Sequence, residues 1–314
     1  MKQIAYLLLS GIVGLAACQN KLSKQTDKNI QDIDNIKQET NIDSIKQNAK
    51  LDSLKQVLAK TTDPLNRIKL HQQIIDIKIE GTSPEERCQL FDDYSTEVQK
   101  ELNKLNERES HYIEHYYDYR MDDEGNEKEP HDSIKKKDLF YKKAGIDIID
   151  LGEGIVELTL QTKFYTKYIK QLPKYYQDYW YLIKDAENIA PDACLIITWH
   201  ELSNLLARYE TYVKRYPTQK ELFCRLKDDY KFLQSAFLFG VDNTSTVDFD
   251  SVDKKIKEEW KRFIRTYPDS PTTPFIKEML LLNKYEDMYS IQQKLIRFQE
   301  TSNYPLLKTC TFKR

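Results

Sequence analysis

Glycine and proline are scarce, at 8 and 10 among 314 residues. A β-sandwich needs a tight turn after each short strand, so this composition argues against one and suits long helices. An excess of one charge sign is also lacking, with 48 Lys and Arg against 50 Asp and Glu. No basic field draws a polyanion, so no nucleic-acid partner is expected. The 5 histidines are scattered, and neither G-x-S-x-G nor G-x-G-x-x-G occurs. Without a nucleophile elbow or a phosphate loop, no catalytic residue, metal or cofactor is assigned and no enzymatic activity is expected. An enzyme built on two dispersed carboxylates, as in glycoside hydrolysis, is the one catalytic alternative. Long apolar runs are missing too. The stretch from Ile4 to Ala17 is shorter than the ~20 residues that cross a bilayer.

That stretch follows one basic residue, Lys2, and closes on Leu15-Ala16-Ala17-Cys18. A charged start, an apolar core and small residues form the three-part layout of a secretory signal. The last four residues resemble, position by position, the lipobox of bacterial lipoproteins. The resemblance implies a signal peptide at 1–17 and acylation of Cys18, by which the mature chain is attached to a lipid bilayer. Three acyl chains hold a protein far better than one. An ordinary signal peptide with an incidental cysteine is the alternative. By the sorting rules of that family, Gln19 in place of aspartate favours the outer membrane. Lys21 and Lys24, where surface-exported relatives carry acidic runs, favour a periplasm-facing orientation.

Four further cysteines remain, Cys88, Cys194, Cys224 and Cys310. An exported chain meets an oxidising compartment, so up to two disulfides are open to it, in three connectivities. Wide spacing argues against zinc. On an expected helix, Cys88 is read as a small buried apolar residue.

Residues 18–60 carry three copies of one pattern: Ile33-Asp34-Asn35-Ile36-Lys37-Gln38, Ile42-Asp43-Ser44-Ile45-Lys46-Gln47 and Leu51-Asp52-Ser53-Leu54-Lys55-Gln56. At ~100° per residue, a period of nine sets successive apolar pairs about half a turn apart. That breaks a coiled-coil seam. A charged spacer is expected, helical or partly disordered, with a self-association helix as the competing reading.

Residues 61–138 read as a helical hairpin followed by a loop. Asp63-Pro64 opens a helix with Leu65, Ile68, Ile75 and Ile79 on one face, ended by Gly81. Ser83 and Glu86 have capping-box spacing, and Phe91, Tyr94, Val98, Leu102, Leu105, Tyr112 and Tyr116 follow at helical intervals. Antiparallel packing of the pair is expected. From Met121 to Lys137 the acidic run and three lysines predict a solvated loop. His111-Tyr112-Ile113-Glu114-His115 matches the H-x-x-E-H pattern of inverted zinc proteases. Five residues amid tyrosines and charges are better read as a solvated helix face.

Residues 139–160 hold three of the glycines and alternate apolar and polar residues around Gly152-Glu153-Gly154, which predicts a β-hairpin. Two strands alone are unstable and must lie on helices. Glu153 is a candidate ligand-binding carboxylate at the tip, with a turn residue as the plainer reading.

Residues 161–314 show an internal pattern at Tyr165-x-x-Tyr168-Ile169-x-x-Leu172-Pro173, Tyr209-x-x-Tyr212-Val213-x-x-Tyr216-Pro217 and Trp260-x-x-Phe263-Ile264-x-x-Tyr267-Pro268. Positions 1, 4, 5 and 8 share a helical face, and the proline ends the helix. Such periods mark stacked helical pairs. The last two junctions resemble those of tetratricopeptide-like bacterial lipoproteins, although offsets of 44 and 51 exceed the ~34 residues of a regular unit. Helices are expected at 162–188, 198–216, 218–239, 252–267 and 273–300, with Tyr304 to Arg314 packing loosely. The 21 tyrosines cluster, and Tyr175, Tyr179 and Trp180 are candidate ligand-stacking residues. The structural alternative is a ring inside with its hydroxyl wet.

The expected protein is all-α, with irregular helical-hairpin repeats and one small β-hairpin, preceded by a signal peptide and an extended tether. Its expected role is non-catalytic binding of another envelope protein, or of a glycan or peptide.

Overall fold

The computed structural model describes residues 45–248, 251–282 and 288–308. The signal peptide, Cys18, the first copy and half of the second copy of the tether pattern, and Cys310 lie outside the described residues. The chain is mostly helical with a few short strands and divides into two compact units, Met1–Glu80 and Gly81–Arg314. No described helix is long and apolar enough to cross a membrane.

In the first unit, residues 45–60 form α1, so the third tether copy is helical, and α2 spans Pro64–Glu80. The predicted cap holds: Asp63 Oδ1 accepts from the Asn66 amide at 2.8 Å. Arg67 closes the end of α1 by donating to the carbonyls of Leu58 at 2.8 Å and Thr61 at 3.1 Å, groups that a helix leaves without internal partners. Leu65, Ile68, Ile75 and Ile79, the predicted apolar face, are buried.

The second unit opens with α3 (Pro84–Arg108), whose capping box between Ser83 and Glu86 is formed in both directions. All five predicted stripe residues from Phe91 to Leu105 are buried. Glu109 interrupts the helix, and α4 (Ser110–Glu114) carries the stripe on through Tyr112. Beyond it the expected solvated loop from Met121 to Lys137 is shorter than its charge pattern predicts. The loop ends at His131, whose ring accepts from the Ser133 amide, and α5 spans Asp132–Ala144. The three lysines at 135–137 are therefore helical, and so are residues 139–144, because Gly145 in the left-handed region stops the helix only there.

The hairpin follows as β1 (Ile146–Gly152) and β2 (Ile155–Leu160), antiparallel from Ile146 opposite Leu160, with a bulge between Asp150 and Gly152. Gly152, Glu153 and Gly154 all have positive φ, at 93°, 51° and 74°, a path that glycine takes without strain. Val156, Leu158 and Leu160 are buried, and β2 packs on α3 and α4. The Asn106 side chain bridges to β2, accepting from the Leu158 amide at 2.8 Å and donating to its carbonyl at 3.1 Å.

The stretch expected as one helix at 162–188 is two, α6 (Thr162–Ile169) and α7 (Lys174–Ala186). Pro173 has no amide hydrogen and disfavours helical backbone at Leu172. Then come α8 (Trp199–Arg215), α9 (Lys220–Arg225), α10 (Lys227–Phe239), α11 (Lys254–Thr266), α12 (Thr273–Leu280) and α13 (Met288–Thr301). Two short hairpins, β3 (Gly240–Val241) with β4 (Thr244–Ser245) and β5 (Val247–Asp248) with β6 (Ser251–Val252), join α10 to α11. Gly240 permits the first: a Cβ there would lie 2.2 Å from the Thr244 carbonyl oxygen.

Helix α8 is the hub, packing on α7, α10 and α11. The pattern residues Tyr168, Tyr209, Trp260 and Phe263 are all 0% exposed, so this face is the core. The junctions after α8 and α11 share one backbone path: Tyr216 stands at φ −127°, ψ 58° and Tyr267 at φ −128°, ψ 59°. Of the C-terminal segment, the described residues 304–308 pack more firmly than expected, since Leu306 and Leu307 are buried and Tyr304 lies against Tyr230 with ring centroids 5.7 Å apart.

Candidate binding grooves around helix α7

Helix α7 begins where Pro173 forbids continuation of α6, and its sequence sorts its rings by period. Tyr176, Tyr179 and Leu182, at intervals of three, are buried. Tyr175, Asp178, Tyr181 and Asp185 stand on the flanks, where two grooves open.

The first groove, of about 340 Å³, runs between α7 and α8, with Asp178, Tyr181 and Asp185 facing Arg208, Arg215 and Tyr216. Its charges are matched across the groove. Arg208 meets Asp185 at 2.7 Å, and Asp178 receives Lys174 at 2.5 Å, the Tyr216 hydroxyl at 2.7 Å and Arg215 at 3.5 Å. Burial pushes the Asp178 carboxyl up, but the bonds from Lys174 and Tyr216 outweigh it and hold its pKa low.

The second groove, of about 440 Å³, lies between α3, α7 and α9 and is lined by Cys88, Asp92, Tyr175 and Arg225 among others. Arg225 donates to Asp92 at 2.8 Å, and the Tyr176 hydroxyl donates to the same carboxylate. Cys88 is a buried free thiol with Sγ 3.7 Å from the Tyr175 hydroxyl. Burial pushes the thiol pKa up, which leaves a poor nucleophile. Burial, with the thiol contact second, pushes Tyr175 up to about 12.

No known protein family, curated protein or solved structure matches the chain. The site therefore rests on its own geometry.

The four sequence candidates do not converge. Tyr175 is half-buried and lines the second groove. Tyr179 is 4% exposed, with its ring inside the core. Trp180 is half-buried, edge-on to Phe91 at 5.0 Å and stacked on Tyr165 at 6.4 Å, and its Nε1 has no hydrogen-bond partner among the described residues. Glu153 is exposed at the tip of the β1–β2 hairpin. Cys224 is disulfide-bonded, whereas Cys88 and Cys194 are free thiols.

Two polar clusters were invisible in the sequence. Ser203, His200 and Glu259 meet between α8 and α11, but in an order unsuited to nucleophilic catalysis. Ser203 Oγ lies 2.5 Å from Glu259 Oε1 and takes a bond from Arg262 at 2.7 Å, while His200 Nδ1 lies 3.2 Å from the other oxygen of Glu259. An activated serine would bond to the imidazole instead, and Ser203 is 0% exposed. The cluster ties two helices together. His111 and His115 of the H-x-x-E-H match stack at 4.3 Å, and among the described residues no group of three or more His, Cys, Asp or Glu is placed to hold a metal.

The second cluster surrounds Glu210, a carboxylate only 4% exposed on α8. Tyr230, Ser270 and Thr272 donate to its Oε1 at 3.0, 2.8 and 3.3 Å, and Gln234 donates to Tyr230 and Thr272. Residues 20 to 62 positions apart meet here, so no local pattern announces them. Burial raises the Glu210 pKa, and the three hydroxyls only partly offset it. A carboxyl whose folded pKa exceeds its unfolded one contributes stability that is complete below the unfolded pKa and is lost as pH rises through the folded value. Glu210→Gln, which cannot ionise, is therefore expected to gain stability relative to the native chain as pH rises from about 4.5 towards neutrality. Urea midpoints of both proteins across that range measure it, and a constant difference would contradict it.

Proposed function

We propose that the protein is a bacterial envelope lipoprotein, acylated on Cys18, held at the outer membrane on the periplasmic side, and acting without catalysis by binding another envelope protein. The observation that carries this reading is Leu15-Ala16-Ala17-Cys18 closing a short apolar run behind Lys2. The helical second unit supports the binding role, because tyrosine and arginine are favoured at protein interfaces and both rim the grooves beside α7. The common backbone path at Tyr216 and Tyr267 supports stacked helical pairs of the tetratricopeptide-like kind.

A glycan- or peptide-binding accessory is the second reading, favoured by the position of Tyr175 on the rim of the larger groove. Envelope pull-down separates the two: protein partners that survive competition by glycans support the first. Tyr175→Ala provides an independent test. If the groove takes a ligand by stacking, this change removes binding while the half-buried site loses about 1 kcal/mol of stability or less. Tyr179→Ala, by contrast, is expected to cost about 3 kcal/mol or more by emptying the core. Unchanged capture of glycans and peptides by Tyr175→Ala would discard the second reading.

A further inference from the structure

Helix α5 presents a face that nothing among the described residues covers. Leu139 and Phe140 are 50% and 54% exposed. At about 100° per residue, Lys136, Leu139, Phe140 and Lys143 project from one side of the helix, away from the buried Tyr141. The opposite side is fastened down. The Tyr112 hydroxyl and Arg120 both donate to Asp138, the latter at 2.7 Å, and Lys137 pairs with Glu109 at 2.5 Å. The neighbouring acids are also engaged, since Lys135 takes Glu129 at 2.6 Å and Asp132 at 3.8 Å. Lys136, Lys142 and Lys143 are exposed and have no carboxylate partner among the described residues.

Two protruding apolar side chains beside two uncompensated ammonium groups, Lys136 and Lys143, with the exposed Lys142 on the flank, make a helix face complementary to an anionic lipid surface. On such a surface the Phe140 ring and the Leu139 methyl groups would enter the acyl boundary while the lysines stay at the phosphates. We propose that α5 is a second, peripheral membrane contact, with Leu139 and Phe140 inserted and Lys136, Lys142 and Lys143 bound to anionic phospholipid headgroups. Its setting rests on the lipid anchor proposed above. The 26 residues from Gln19 to Ser44 reach at most ~90 Å, so a tethered body stays near the leaflet and a weak contact gains from effective concentration. The contact itself needs no acyl chain.

The test uses the chain from Gln19 onward, which lacks the thioether site and contains every described residue. Co-sedimentation is measured with vesicles of phosphatidylglycerol mixed with phosphatidylcholine and with vesicles of phosphatidylcholine alone. Binding to the anionic vesicles is expected to exceed binding to the neutral ones by about tenfold or more and to weaken as salt rises. Leu139→Ser with Phe140→Ser, and separately Lys136→Gln with Lys142→Gln and Lys143→Gln, are each expected to remove most of that excess. All five positions are exposed, and an unchanged urea midpoint checks that folding is intact. Equal binding to both vesicles, or full binding by either variant, would overturn the proposal, as would a face that captures protein partners while ignoring vesicles. Because this chain carries no acyl group, a failure here leaves acylation of Cys18 untouched, and the mass of the native amino terminus tests that separately.

Discussion

Trp260→Ala is expected to lower the unfolding free energy by about 3–5 kcal/mol. The indole is 0% exposed, and its Nε1 donates to the Phe237 carbonyl at 3.0 Å. Truncation would remove the largest fully buried side chain of the second unit, leave a cavity where α11 meets the core, and orphan a buried carbonyl. Domains of ordinary stability hold only about 5–15 kcal/mol, so the variant would sit near the edge of folding. Trp260→Phe, which keeps a ring but not the donor, is expected to lose less. Urea midpoints at constant slope measure both. A loss under about 1 kcal/mol for Trp260→Ala would mean that the pattern residue is not a core residue.

Cys18→Ser is expected to move the protein from the membrane fraction to the soluble fraction when expressed in a bacterium that processes lipoproteins. Each buried methylene contributes about 0.8 kcal/mol to anchoring, and one acyl chain binds only marginally whereas several bind durably. The serine variant has no thiol to carry a diacylglycerol and, once residues 1–17 are removed, keeps only what α5 offers, a weak attachment that high salt should release. Fractionation at low and high salt reads both effects together. Full membrane retention of the serine variant at high salt would contradict the anchoring role of Cys18.

Elements written in local sequence were legible. Gly152-Glu153-Gly154 announced the hairpin because a tight reversal needs positive φ at successive residues, and all three have it. Ser83 and Glu86 announced the start of α3 because a capping box is a contact three residues long. The proline of each pattern copy ends a helix for a reason internal to the residue, although the segment 162–188 was expected to run through Pro173. The start of α5 was hidden because its cap is a histidine, His131, among residues whose charge reads as loop. Contacts between distant positions were not legible at all. Glu210 lies one residue past Tyr209 in a stretch that reads as amphipathic helix, and only the approach of Tyr230, Ser270 and Thr272 reveals it as buried. The candidate site was legible in composition more than in geometry. The cluster Tyr175, Tyr176, Tyr179, Trp180 and Tyr181 was plain to see, but which rings rim a groove depends on which helices pack on each side of α7. Tyr175 and Tyr181 line grooves, while Tyr179 is core.

If the mature chain begins at an acylated Cys18, the protein extracted from native membranes is expected to have the intact mass of residues 18–314 plus a diacylglyceryl group and an amide-linked acyl chain. A chain that starts at any other residue, or at an unmodified Cys18, would contradict it.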